Sequence, residues 1–165
     1  MTVIAKWGRS PDGGAMFSPC KTYRYDLWRQ WDHGQEVAFI GLNPSTADEV
    51  KNDPTVTRCI KYAQRWGFAG MHMLNIFALR STDPQALYVP GDPVGPENDR
   101  YLVEVCQQVE QVVVAWGVHG AVQQRDRAVL SLLERFPLWC LGTTKGGHPR
   151  HPLYLPRDVQ RQVYA

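Results

Sequence analysis

Apolar residues fall into short runs separated by polar, glycine- and proline-rich segments, and these runs alternate with stretches of helical periodicity. The run 36–42 stops at Asn43-Pro44. Proline has no N–H to give a ladder, so the run reads as a buried strand that ends in a loop. Asp53 then stands before Pro54, a capping side chain ahead of a proline at the first helical position. Val56, Ile60, Ala63 and Trp66 follow on one face until Gly67, which predicts an amphipathic helix with start and stop signals.

A second apolar strand is predicted over 71–77, followed by a polar, proline-rich segment over 80–96 long enough to be a functional surface loop. Pro96 opens a second helix with Leu102, Val105, Cys106 and Val109 inward. The run 112–116 predicts a third strand, 122–136 a third helical stripe, and 138–141 a fourth strand. Residues 23–31 alternate aromatic or apolar with polar positions, the pattern of an antiparallel edge strand paired with the short run near Met16.

Strands alternating with helices imply right-handed crossovers and a parallel sheet. The expected fold is α/β: a three-layer α/β/α sandwich with a central four-stranded, mostly parallel sheet and an N-terminal antiparallel edge extension. A single domain over 1–165 is expected, with the extension in 1–35 and the core in 36–155.

At 165 residues, 44% hydrophobic, the chain is long enough to bury one core. Its formal net charge of +2 permits a nucleic-acid partner without announcing one. No apolar run approaches the roughly 20 residues of a membrane span. No basic-flanked apolar leader opens the chain either, so a cytoplasmic protein without membrane contact is expected. Cys20, Cys59, Cys106 and Cys140 form no C-x-x-C pair and read as ordinary thiols. There is no P-loop pattern and no G-x-S-x-G elbow.

In a parallel sheet, ligands bind beyond the carboxyl ends of the strands. The loops of interest therefore follow Leu42, Asn75, Trp116 and Leu141. The first brings together Gly41, Leu42, Asn43, Pro44, Ser45 and Thr46, with Asp48 and Asp53 as candidate catalytic carboxylates. Asn43 can hold a water through its carbonyl oxygen or read a polar ligand edge. Turn and cap chemistry is the competing reading of the same residues. Asn75 interrupts an apolar strand, and its amide must find either backbone partners or a ligand. After the third strand, Gly117 can allow close approach of a ligand or simply turn the chain, and His119 and Gly120 read as a simple turn. In the last loop, Lys145, His148, Arg150 and His151 suit an anion, and histidine can donate to developing negative charge.

Four segments, in order, resemble the uracil-DNA glycosylase superfamily. Phe39-Ile40-Gly41-Leu42-Asn43-Pro44 resembles the Gly-x-Asn-Pro motif of its mismatch-specific and single-strand-selective branches. Met73-Leu74-Asn75-Ile76 resembles its Leu-Leu-Asn strand, and Val114-Ala115-Trp116-Gly117 its Leu-Trp-Gly strand end. His148-Pro149 and Pro152-Leu153 resemble its His-Pro-Ser-Pro-Leu loop. Ser45 stands where a glycine usually follows the first motif, Asn43 replaces the aspartate of the most active branch, and Arg150 replaces a serine. An insertion leaves either His148 or His151 as the matching histidine. The likeness spans 37–153, and the whole-chain pattern also resembles a bacterial family defined only as a domain of unknown function.

The resemblance implies an N-glycosylase-like enzyme acting on a modified or damaged base, in nucleic acid (DNA rather than RNA) or in a nucleoside or nucleotide. Asn43 would position water, Asn75 would read the base, and His148 or His151 would stabilise the departing base. Phe77 or Tyr154 would stack on it, and Lys145, Arg150, Arg58 and Arg80 would hold phosphate. No metal and no cofactor are implied. Two other readings stand beside it: a non-catalytic binder of a nucleotide or modified base, and a metal-assisted hydrolase using His148, His151 and Asp48 or Asp53.

Overall fold

A computed structural model describes residues 13–165. The first twelve residues of the expected N-terminal extension, and the expectation about a leader, lie outside the described residues. Among those described, the elements run β1 (Gly13–Phe17), β2 (Arg24–Gln30), β3 (Glu36–Gly41), α1 (Pro54–Arg65), β4 (Gly70–Asn75), α2 (Asn98–Cys106), β5 (Gln111–Val114), α3 (Arg125–Leu132), β6 (Leu138–Cys140) and β7 (Gln162–Val163).

The fold is α/β, built on one mixed sheet of order β1-β2-β4-β3-β5-β6-β7. Pairings among β4, β3, β5 and β6 are parallel. Those of β1 with β2, β2 with β4, and β6 with β7 are antiparallel. The sheet therefore has seven strands, where a four-stranded, mostly parallel sheet with an antiparallel edge extension is expected. The 23–31 segment does form an antiparallel strand against the run at Met16, but it lies between β1 and β4 rather than at the edge. β7 had no sequence signal: it is two exposed residues recruited by Trp139 and Cys140.

All six residues of β3 are buried. A strand sends successive side chains to opposite faces, and a strand covered on both reads as a continuous apolar run. Val37 and Phe39 pack with Val56, Cys59, Tyr62 and Ala63 of α1. Ala38 and Ile40 join the cluster holding Leu102 and Val105 of α2 and Val129 and Leu133 around α3.

Helix α1 begins as its capping signal predicts, with the Asp53 carboxylate accepting from the Val56 N–H at 2.9 Å. The third helix starts three residues later than its apolar stripe suggests. Gln123 and Gln124 are left-handed, with φ of 54° and 55°, and a non-glycine residue in that region cannot continue a right-handed helix.

The end of β4 is held by two buried side chains. Asn98 Nδ2 donates to the carbonyls of Asn75 (2.9 Å) and Ile76 (3.1 Å), and Arg125 Nε to that of Ile76 (2.7 Å). These carbonyls have run out of ladder, and buried acceptors need partners. The parallel strands thus end in register, Gly41 beside Asn75, and send their loops to one side.

Candidate functional site

A cavity of about 650 Å³ lies where these loops converge. Leu42, Asn43 and Ser45 follow β3, Ser81 and Thr82 follow β4, Trp116 to His119 follow β5, and Thr144, Arg150 and His151 follow β6. Asp53 and Pro54 close it at the start of α1, with Leu153 and Tyr154 at its rim. Its volume suits a small-molecule site.

Asn43 is half-buried, and its Nδ2 lies within hydrogen-bonding distance of three carbonyl oxygens: Ser81 at 3.0 Å, Pro44 at 3.2 Å and Leu79 at 3.2 Å. Three acceptors around one end of the amide decide which end is nitrogen. Oδ1, which can only accept, is the end left for a ligand. The Ser81 N–H donates to the Pro44 carbonyl at 2.9 Å and ties the two loops together.

His151 heads the short turn Pro152–Tyr154, where its Nδ1 accepts from the Leu153 N–H at 3.3 Å. An accepting Nδ1 places the proton of the neutral ring on Nε2. Burial pushes the imidazole below its usual pKa, and Asp53 pulls more weakly the other way. The ring is therefore a neutral N–H donor at physiological pH. Gly117, at φ +74°, brings the β5 loop alongside: its N–H donates to the Pro149 carbonyl at 2.9 Å, and a Cβ there would lie 3.7 Å from Cβ of His151.

Residues 143–149 form a tight hairpin. The Thr144 N–H donates to the His148 carbonyl at 2.8 Å, and the His148 N–H to the Thr144 hydroxyl at 3.2 Å. This hairpin leaves His148 and the exposed Lys145 off the cavity lining, whereas Arg150 and His151 are on it. Arg58 Nη1 holds the Leu155 carbonyl at 3.1 Å, and the Tyr62 hydroxyl lies 3.2 Å from the carbonyls of Pro152 and Pro156. Helix α1 thus fixes the histidine loop. Tyr154 is 87% exposed, with its ring centroid 5.9 Å from that of His151.

Other predicted site residues take structural positions. Asn75 is buried, and its Oδ1 accepts from Arg24 Nη2 at 3.2 Å. Arg24, itself 2% exposed, also donates through Nη1 to the Ala47 carbonyl at 3.2 Å. Burial pushes this guanidinium down to about 10, against the pull of Asp53 and Asp26. Phe77 is fully buried in the core beside Ile76 and Leu87. Gly41 is a buried strand end, where a Cβ would lie 2.7 Å from Met73 Cε, and Pro44 is buried beyond it. Asp53 spends its carboxylate on α1 and on the Ala47 N–H (3.4 Å). Asp48 accepts from the amides of Lys51 (2.6 Å) and Val50 (2.9 Å), which hold it below the usual carboxylate range. Thr46 and Arg80 line a shallow depression next to the cavity.

His119 is a cavity residue that its sequence context, a glycine-flanked turn, did not reveal. Its Nδ1 lies 3.1 Å from the Tyr88 hydroxyl. Ser81, Thr82 and Thr144 carry no sequence signal for a similar reason: single hydroxyl residues in long polar loops cannot be ranked until the loops meet. Among the described residues, no three or more His, Cys, Asp or Glu side chains gather as a metal site would require. Among the same residues, no helix is long and apolar enough to cross a membrane.

Residues 24–153 match a family described as "Protein of unknown function (DUF1643)". No curated protein and no solved structure matches the chain.

Proposed function

The chain belongs to the DUF1643 family, and we propose that its cavity hydrolyses the base–sugar bond of a modified or damaged base, as an N-glycosylase does. The observation that carries this reading is the pairing of an acceptor and a donor on one cavity. Asn43 keeps only its accepting oxygen, and His151 keeps only its donating nitrogen.

Hydrolysis of an N-glycosidic bond adds water to the anomeric carbon while the C–N bond breaks and its electron pair leaves with the base. Asn43 Oδ1 accepts a hydrogen bond from that water and orients its lone pair. Nε2–H of His151 donates to the base oxygen on which the negative charge collects. A neutral donor placed in advance stabilises this charge without itself losing a proton. The proton given up by water finishes on the departing base. Leu42 and Trp116 offer apolar wall to the base, the hydroxyls of Ser45, Ser81, Thr82 and Thr144 face its polar edge, and Tyr154 stacks on it at the rim. A base in a duplex must leave the stack to reach such a pocket. Asn75 and Arg24 act as positioning residues, through the Ala47 carbonyl.

The four-segment likeness to the uracil-DNA glycosylase superfamily supports the same reading, as does a sheet taken as the middle layer between α1 and the α2–α3 pair. The test is incubation with oligonucleotides carrying uracil, hypoxanthine, oxidised and alkylated bases, and with a nucleoside panel, scored for free base by mass spectrometry. Release that disappears in Asn43→Ala is the expected result. Folded protein that releases nothing from any substrate overturns the catalytic reading.

One observation favours a second reading, a non-catalytic binder of modified bases: the carboxylates of both Asp48 and Asp53 are engaged by backbone amides. Stoichiometric binding of a base or nucleoside without turnover is its signature.

A further inference from the structure

A second concave surface, of about 990 Å³, opens along α1 and shares Asp53, Pro54 and Leu153 with the first cavity. Arg58, Lys61 and Arg65 line it from the helix, and Arg157 from the C-terminal segment. Spacings of three and four residues bring the helical cations onto one face. Residues 54–65 contain no aspartate or glutamate, so the row has no acidic neighbour on its own helix. Asp53 is the one acid among the described residues lining this groove, and its carboxylate caps the helix. Among the described residues, none of the four cations makes an ion pair. In a chain whose formal net charge is only +2, this is a local concentration of unpaired positive charge in a groove that adjoins the cavity.

We infer that this groove is a track for the phosphates of a nucleic-acid strand whose base turns into the cavity. The inference rests on the reading of the cavity as a base site, and it narrows that site's substrate from a free nucleoside to a polymer. From Arg58 to Arg65 the helix rises about 10 Å, a length that spans on the order of two successive phosphates of one strand. Arg58 is held in place by the Leu155 carbonyl, so part of the track is preorganised. Tyr154 stands exposed next to Leu153, where groove and cavity meet, and an aromatic face there gives a base leaving the strand a surface to stack on. Cations on a convex helix face are ordinarily solvated. These line a concavity that borders the cavity and shares Asp53, Pro54 and Leu153 with it, and that adjacency favours a linear polyanion.

The experiment is fluorescence anisotropy of an unmodified labelled single-stranded 16-mer against the full-length protein over a potassium chloride series. It compares the wild type with Lys61→Gln/Arg65→Gln/Arg157→Gln. All three side chains are exposed, and an unchanged melting temperature confirms the variant's fold. The wild type should lose affinity steeply with salt. The variant should bind at least about tenfold more weakly at low salt, with a log–log salt slope shallower by about 2, at roughly 0.7 per lost single-strand phosphate contact. Equal affinity and slope for the two proteins, or no binding by the wild type, overturns the track. Heparin fragments bound as tightly as the 16-mer, with the same sensitivity to the substitutions, overturn its assignment to nucleic acid. Failure of the cavity chemistry is read separately: an absence of base release alongside variant-sensitive oligonucleotide binding removes the glycosylase reading and keeps the track. Nucleoside cleavage equal in the two proteins, with no difference in oligonucleotide binding, removes the track alone.

Discussion

The backbone N–H of Leu153 donates to Nδ1 of His151 across 3.3 Å, which leaves Nε2–H as the donor of a ring on the cavity lining. His148, three residues earlier, lies off that lining, its backbone closing the hairpin with Thr144. The two histidines are therefore expected to respond differently to substitution. His151→Ala should lower base release by about 10²- to 10³-fold, the usual effect of removing one donor to a developing oxyanion. His148→Ala should stay within about twofold of the wild type, since it removes no such donor. Initial rates of base release on one active substrate check both. Equal losses in the two variants defeat the assignment.

The same imidazole predicts a pH dependence of stability. Burial lowers its folded pKa, so between that value and the unfolded value of about 6.5 the unfolded chain binds more protons. Stability should rise with pH through that window, and the contribution is lost as pH falls below about 6.5. Urea denaturation of the wild type and His151→Gln at pH 7.5 and 5.5 measures it: the drop on acidification should be smaller in the variant. An identical drop in both proteins removes His151 from the account.

Arg24 joins Asn75 to the Ala47 carbonyl from a fully buried position. Replacing it with methionine fills similar volume and leaves both acceptors unpaired, at a cost of about 1–3 kcal/mol. Denaturant midpoints report the loss. As a positioning residue, Arg24 should also affect the rate: Arg24→Met is expected to lower base release in conditions where the variant is fully folded. Unchanged stability would show that the Arg24 bonds contribute nothing net.

Thiol labelling should separate the cysteines. Cys20 is exposed, and hydrogen bonds with Thr22 and Ser18 bring it down to about 7. Burial pushes Cys106 up to about 12 and raises Cys59 further, and Cys140 is also buried. Thiolate is the reactive form. At neutral pH, native protein should therefore take up one maleimide rapidly and the other three only in denaturant, and Cys20→Ser should abolish the fast phase. Fast labelling of more than one thiol would contradict the burial of the rest.

Much of this molecule is local chemistry and was legible as such. The apolar run that becomes β3, the Asp53-Pro54 start of α1, and the alternation that makes β2 a strand all depend on near neighbours in the chain. So does the placing of polar loops beyond the strand ends. What remained open depended on residues far apart meeting. Asn43 is oriented by carbonyls 36 and 38 residues away, and Asn75 is taken by an arginine 51 residues away. Which of His148 and His151 lines the cavity follows from a hairpin packed against the β5 loop, and β7 exists only because β6 offers it an edge. Periodicity and capping describe which conformation a segment prefers. Which polar atom ends with a partner, and which is left to face a ligand, is decided by packing between segments, where every buried donor and acceptor must be satisfied at once.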